Sequence, residues 1–143
     1  MTVLATEVAS ATAGRAGRAT SPDGKIDLQL SPPGSGGPGT NPEQLFAAGY
    51  AACFGGAIGA AARNAKVELP PDRITVTATV RLKKDDSGFF IDVSLDAELG
   101  GLDQANAESL VAAAHTICPY SKATHGNVAV ALHANGRPVA ALE

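Results

Sequence analysis

Tryptophan is absent from this 143-residue sequence, and two tyrosines and four phenylalanines are all the aromatics it has. Aromatics make up 4% of a chain that is 45% hydrophobic, so Ala, Val and Leu must fill the interior, which suits close helix contacts. Cysteine occurs only twice, too few for a disulfide scaffold, and the length suffices for a core without staples. There is no basic excess of the kind that nucleic acid or an anionic membrane selects. Eleven Lys and Arg face 14 Asp and Glu, for a formal net charge of -3 and a pI near 5.5. No run approaches the roughly 18–20 consecutive apolar residues of a membrane span. The first twenty residues hold one acid, Glu7, beside Arg15 and Arg18, but no apolar leader segment. Their β-branched Thr2, Val3, Thr6 and Val8 read better as a strand. The expectation is one cytoplasmic domain over residues 1–143, with neither nucleic acid nor membrane as partner. In a reducing compartment two cysteines are more often reactive or buried than permanently bridged.

What is present reads as an α+β domain. Residues 2–12 and 25–30 have strand patterning, with turn chemistry at Gly14, Gly17 and Ser21-Pro22-Asp23-Gly24 and room for a short middle strand at 18–20. Residues 31–40 (SPPGSGGPGT) form a loop. A helix follows from Glu43 to about Lys66, begun either by a Thr40/Glu43 capping box or by Asn41 as N-cap with Pro42 next. It is Ala-rich and apolar nearly all round, as in a helix buried on most faces. Gly49, Gly55, Gly56 and Gly59 weaken it, and close approach by another helix or a partner subunit is the expected compensation. Ile74, Val76, Ala78, Val80 and Leu82 alternate with polar residues, and residues 89–99 return as their antiparallel partner. A second helix spans 103–117, a short helical segment follows Cys118-Pro119, and a final strand spans 128–133.

Chemistry concentrates at the cysteines. Cys53 lies in an apolar helix, where a lone cysteine is ordinarily inert. Cys118 precedes Pro119, and as the N-cap of a new helical turn its thiolate would be favoured by free N–H groups. On electrostatics alone Cys118 is then the more acidic thiol. The cysteines lie far apart, unlike a CxxC redox motif, and His115, Cys118, Cys53 and His125 lack the paired spacing of structural zinc sites. No nucleophile elbow or phosphate-binding glycine loop is present. His115 reads as a packed or half-exposed helix residue and His133 as a solvent-facing strand residue.

The stretch from Thr40 to Phe54 (TNPEQLFAAGYAACF) resembles the signature of the OsmC/Ohr family, specifically its organic hydroperoxide resistance branch. Residues 114–127 (AHTICPYSKATHGN) resemble the second cysteine motif of that branch, and Gly14-Arg15-Ala16-Gly17 its arginine-bearing turn. Motif order, spacing and length agree over nearly the whole chain. The resemblance implies an intertwined α+β homodimer, with antiparallel sheets around central cysteine-bearing helices. It implies that Cys53 is the peroxidatic cysteine and Cys118 the resolving one, with Arg15 activating the thiolate and Glu43 holding the arginine. It also implies organic or fatty-acid hydroperoxides as substrates, recycling by dihydrolipoyl groups on lipoylated proteins, and neither cofactor nor metal. Departures are Lys122 where the family commonly has Asn, His125 where it has Arg, and Ala16 where it often has an acid. Arg18 is a nearby rival to Arg15.

The chemistry is coherent on its own terms. A free thiol has a pKa near about 8.5, so a guanidinium beside Cys53 would favour the reactive anion and stabilise a leaving alkoxide. Attack on the distal peroxide oxygen yields an alcohol and a sulfenic acid, which Cys118 would condense to a disulfide. Phe46, Tyr50, Phe54 and Ile58 would suit an alkyl tail, and each also reads as core packing. Unbroken helix from Glu43 to Cys53 would hold the two about 15 Å apart, so either the helix breaks near Gly49 or Glu43 comes from another subunit; the expectation is a composite site at a dimer interface. Two alternatives differ in kind: a sister-branch peroxidase preferring hydrogen peroxide, and a non-catalytic redox-sensing or ligand-binding protein.

Overall fold

The computed structural model describes residues 1–141, which divide into two compact units, Met1–Leu45 and Phe46 onward. The first unit is a three-stranded antiparallel sheet of β1 (Ser10–Thr12), β2 (Arg18–Thr20) and β3 (Asp27–Gln29), in that order. The strand expected over residues 2–12 forms only at its end. A strand must pair its N–H and C=O groups, and among the described residues the pairing begins at Ser10 and covers Ser10, Ala11 and Thr12. Loop 31–40 closes on itself: Ser31 N–H donates to Thr40 O and Thr40 N–H to Gln29 O, both at 2.9 Å. This closure brings the start of the first helix beside the end of β3.

That helix, α1 (Pro42–Asn64), runs without a break. Of its two possible starts the Asn41 cap is the one adopted, with Gln44 N–H donating to Asn41 Oδ1 at 2.9 Å and Pro42 at the first helical position. It ends with Lys66 at φ 56° and Val67 N–H donating back to Ala62 O, a Schellman termination with lysine at the left-handed position. By length and composition α1 is apolar enough to cross a membrane, contrary to the sequence expectation. Its many alanines raise mean hydropathy without an unbroken run of large apolar side chains. Tyr50, Phe54, Ala57, Ile58, Ala61 and Ala62 are buried in the core.

The second unit adds β4 (Ile74–Asp85), β5 (Gly88–Leu99), α2 (Gln104–Ile117), α3 (Pro119–Thr124), β6 (Val130–Ala134) and β7 (Arg137–Val139). Its sheet has the order β4-β5-β6-β7. All its pairs are antiparallel except β5 with β6, so the sheet is mixed rather than purely antiparallel as expected. The helices α2 and α3 intervene there and carry the chain back to run alongside β5. The sequence reading missed β7, which follows the tight turn at Asn135-Gly136, where both φ angles are positive. One apolar cluster joins Phe54 and Ile58 of α1, Val93, Leu95 and Leu99 of β5, Leu110 and Val111 of α2, and Leu132 of β6. Leu82 lies beyond that cluster and is exposed.

Asp103 caps α2 by accepting from Asn106 N–H at 2.8 Å. Asp103→Ala should lower stability by about 1 kcal/mol, seen as an earlier urea midpoint. An unchanged midpoint would mean that the cap contributes nothing.

Candidate active site

Within the second unit, the last turn of α2 ends at Cys118 because Pro119 disfavours helical backbone in the residue before it. Cys118 adopts φ −63°, ψ 123°, and becomes the N-cap of α3, with Pro119 at its first position. This corner sets Cys118 Sγ 3.2 Å from Cys53 Sγ on α1, within thiol hydrogen-bond reach, and both thiols are free. Cys118 is fully buried, whereas Cys53 is half-exposed.

The backbone N–H of Tyr120, in the first turn of α3, stands close enough to the Cys53 sulfur to favour its thiolate. Cys118 itself accepts no capping bond. Burial pushes the Cys53 thiol above its ordinary value. The Tyr120 N–H opposes that rise and the adjacent Cys118 sulfur adds to it. A nearby cation is what this thiol needs to ionise readily.

Tyr50 lies one helical turn before Cys53, fully buried. Its hydroxyl is 2.8 Å from Ser121 Oγ and 3.3 Å from Thr124 Oγ1. Ser121 Oγ is also 2.9 Å from His115 Nδ1. Burial, with a smaller contribution from His125, holds the His115 pKa below its ordinary value and favours the neutral ring. This buried network was not anticipated from sequence. The one available signal was that Tyr50 and Ser121 each sit three residues from a cysteine.

Gly49 owes its place to α3: a Cβ there would come 2.9 Å from Tyr120 Oη and 3.2 Å from its Cε2. Gly55, Gly56 and Gly59 have no such contact from another helix among the described residues. Of the side chains expected to receive an alkyl tail, Phe46 borders an open cavity of about 410 Å³ with Ile91, Tyr120, Ala123, Thr124 and Val128. Tyr50, Phe54 and Ile58 lie in the core, and Tyr50 packs against the rings of Phe46 and Tyr120. Among the described residues no three His, Cys, Asp or Glu side chains gather as a metal site.

In the first unit, Gly14-Arg15-Ala16 forms a 3-10 turn after β1. Gly17 closes it where a Cβ would sit 1.6 Å from Thr12 O. Arg15 donates from both terminal nitrogens to the two Glu43 oxygens, at 2.8 and 2.7 Å. This bidentate pair holds Glu43 below the usual carboxylate range. Glu43 also stands in the first turn of α1, where the helix dipole favours negative charge. The rival Arg18 is engaged elsewhere, paired with Asp27 at 2.6 Å. Lys122 and His125 are exposed.

The model of the OsmC-like protein family matches residues 34–133, a span that contains α1, both cysteines and the hairpin between them. The organic hydroperoxide resistance protein of Xanthomonas axonopodis pv. citri is 49% identical over 134 residues, covering 91% of this chain and 94% of that protein. The crystal structure of the organic hydroperoxide resistance protein OhrB of Bacillus subtilis superimposes with a TM-score of 0.86 at 47% identity, covering 93% of this chain and all of that one. An organic hydroperoxide resistance protein from Elizabethkingia anophelis gives 0.84 at 39% identity, over 96% of this chain and all of its own. The chain belongs to the OsmC family, in its organic hydroperoxide resistance branch.

Proposed function

We propose that this chain is a cysteine-based peroxidase that reduces organic hydroperoxides to alcohols in the cytoplasm. The observation that carries this reading is a half-exposed Cys53 whose sulfur lies 3.2 Å from that of a fully buried Cys118. The more exposed cysteine meets peroxide; the buried one is protected until it is needed. Attack by the Cys53 thiolate on the distal oxygen breaks the O–O bond, releases the alcohol and leaves a sulfenic acid. The Cys118 thiol then displaces hydroxide, which departs as water with the thiol proton. A dithiol such as a dihydrolipoyl group restores both thiols by exchange. The apolar cavity beside Phe46 and Tyr120 favours a bulky alkyl tail over hydrogen peroxide.

The working unit in this reading is a homodimer. An open groove of about 740 Å³ runs along α1, where Ala51, Ala52, Gly55, Gly56 and Gly59 face Ile74 and Val76. Small residues of this kind let a second helix approach closely, which accounts for glycines that otherwise weaken α1. Ten residues of unbroken helix separate Glu43 from Cys53, about 15 Å of rise. We therefore assign the cation that Cys53 needs to Arg15 of the partner copy, held by the partner's Glu43.

With cumene hydroperoxide and excess dihydrolipoamide, the wild type should turn over repeatedly and Cys53→Ser not at all. Cys118→Ser should complete one turnover per chain and stop, and hydrogen peroxide should be consumed more slowly than the bulky substrate. Sustained turnover by Cys53→Ser would overturn the assignment of the nucleophile.

Arg15→Ala should raise the Cys53 thiol pKa, moving the rising limb of the pH–rate profile to higher pH, with Arg15→Lys in between. Its rate at neutral pH should fall by about tenfold or more. Mixed dimers of Arg15→Ala with Cys53→Ser should regain activity, since one site then combines an intact Cys53 with the partner's intact Arg15. Inactive mixed dimers would place both residues in one subunit.

A further inference from the structure

The helix α3 has six residues, too few to be stable unaided, so something must seat it where Cys118 can reach Cys53. Of the contacts that join it to α1, two repeat at the same spacing. Cys53 meets Cys118 at 3.2 Å, and Tyr50, three residues earlier on α1, meets Ser121, three residues later in the chain than Cys118, at 2.8 Å. The two segments thus run antiparallel, one turn of each apart.

Ser121 is 1% exposed, Thr124 4% and Tyr50 0%, so water cannot replace these partners. Thr124 Oγ1 donates to Ser121 O at 3.1 Å, leaving the Tyr50 hydroxyl hydrogen free for Ser121 or Thr124. On its other side Ser121 Oγ meets His115 Nδ1 in the last turn of α2. One hydroxyl on α3 is therefore held from both flanking helices.

We propose that the Tyr50–Ser121 hydrogen bond, seated by His115, is the positioning element for disulfide closure. It governs the step in which Cys118 attacks the Cys53 sulfenic acid, and not the earlier step in which Cys53 attacks peroxide. In that step the Cys53 S–O bond breaks and the S–S bond forms. The Cys118 sulfur is oxidised, the Cys53 sulfur is reduced by the same amount, and hydroxide leaves with the thiol proton as water. Tyr50 and Ser121 touch neither peroxide nor the reacting oxygen in this scheme; they set where the second sulfur waits. The inference rests on the peroxidase reading above for its first step only.

The experiment mixes reduced wild type, Tyr50→Phe and Ser121→Ala with one equivalent of cumene hydroperoxide. It follows alcohol release and disulfide formation separately, with dimedone trapping any persistent sulfenic acid. Alcohol release should proceed at the wild-type rate in both variants, while closure slows by about tenfold to a hundredfold and a Cys53 dimedone adduct accumulates. Asp103→Ala, destabilised far from the cysteines in sequence, serves as the control and should close at the wild-type rate. Closure as fast as wild type in both variants would overturn the proposal, as would alcohol release and closure slowing in equal proportion. Failure of the wild type to release alcohol would strike the peroxidase reading instead. Closure driven by diamide in the same proteins then tests the positioning role by itself, with the same expected slowing.

Discussion

The corner at Cys118-Pro119 is the constraint on which the cysteine site depends. Proline has no N–H to continue α2, and it pushes the residue before it into extended backbone. Cys118 takes that conformation, so the chain turns there and a new helix starts. From this one turn follow the burial of the Cys118 sulfur, its 3.2 Å separation from Cys53, and an N–H from the first turn of α3 directed at the Cys53 sulfur. The backbone of α3 thus serves the cysteine it does not contain. Because six residues of helix cannot hold this arrangement, the Tyr50 and Ser121 hydroxyls and the bare face at Gly49 are part of the same device.

Electrostatics sets a second requirement. Burial works against a thiolate at Cys53, and one backbone donor only partly offsets it. In the proposed dimer the partner's Arg15 supplies the missing charge; within the chain, bidentate pairing with Glu43 fixes the orientation of the guanidinium. Glu43 is held ionised because its pKa is lowered in the folded chain. The pairing is therefore complete above the ordinary carboxylate range and is lost as pH falls through the depressed Glu43 value. Both partners reach solvent, so salt weakens the pair as well.

Much of this was legible in the residues themselves. The helix cap at Asn41-Pro42, the alternating hairpin from Ile74 to Leu99 and the interruption at Cys118-Pro119 are local signals, and each forms where the sequence places it. What escaped reading depends on partners distant in the chain. Residues 2–9 have strand propensity but pair with no strand among the described residues, and the direction of β6 is set by where two helices deliver it. Tyr50 read as suited either to an alkyl tail or to core packing; it is a core residue, and what sequence did not show is that its hydroxyl bonds to one 71 positions away. Cys118 was credited with the helix-terminus N–H groups because it adjoins them in sequence. Geometry brings one of them, that of Tyr120, to bear on Cys53 across space.

In the proposed peroxidase, Cys53 and Cys118 of one chain form a single redox pair with Cys53 as the entry point. Fully reduced protein is treated with one equivalent of cumene hydroperoxide per chain and its cysteines are mapped by peptide mass spectrometry. One alcohol per chain and an intrachain Cys53–Cys118 disulfide are the expected products. Peroxide consumption that leaves Cys53 a thiol, or that joins two chains through Cys53 while Cys118 stays reduced, would contradict this pairing.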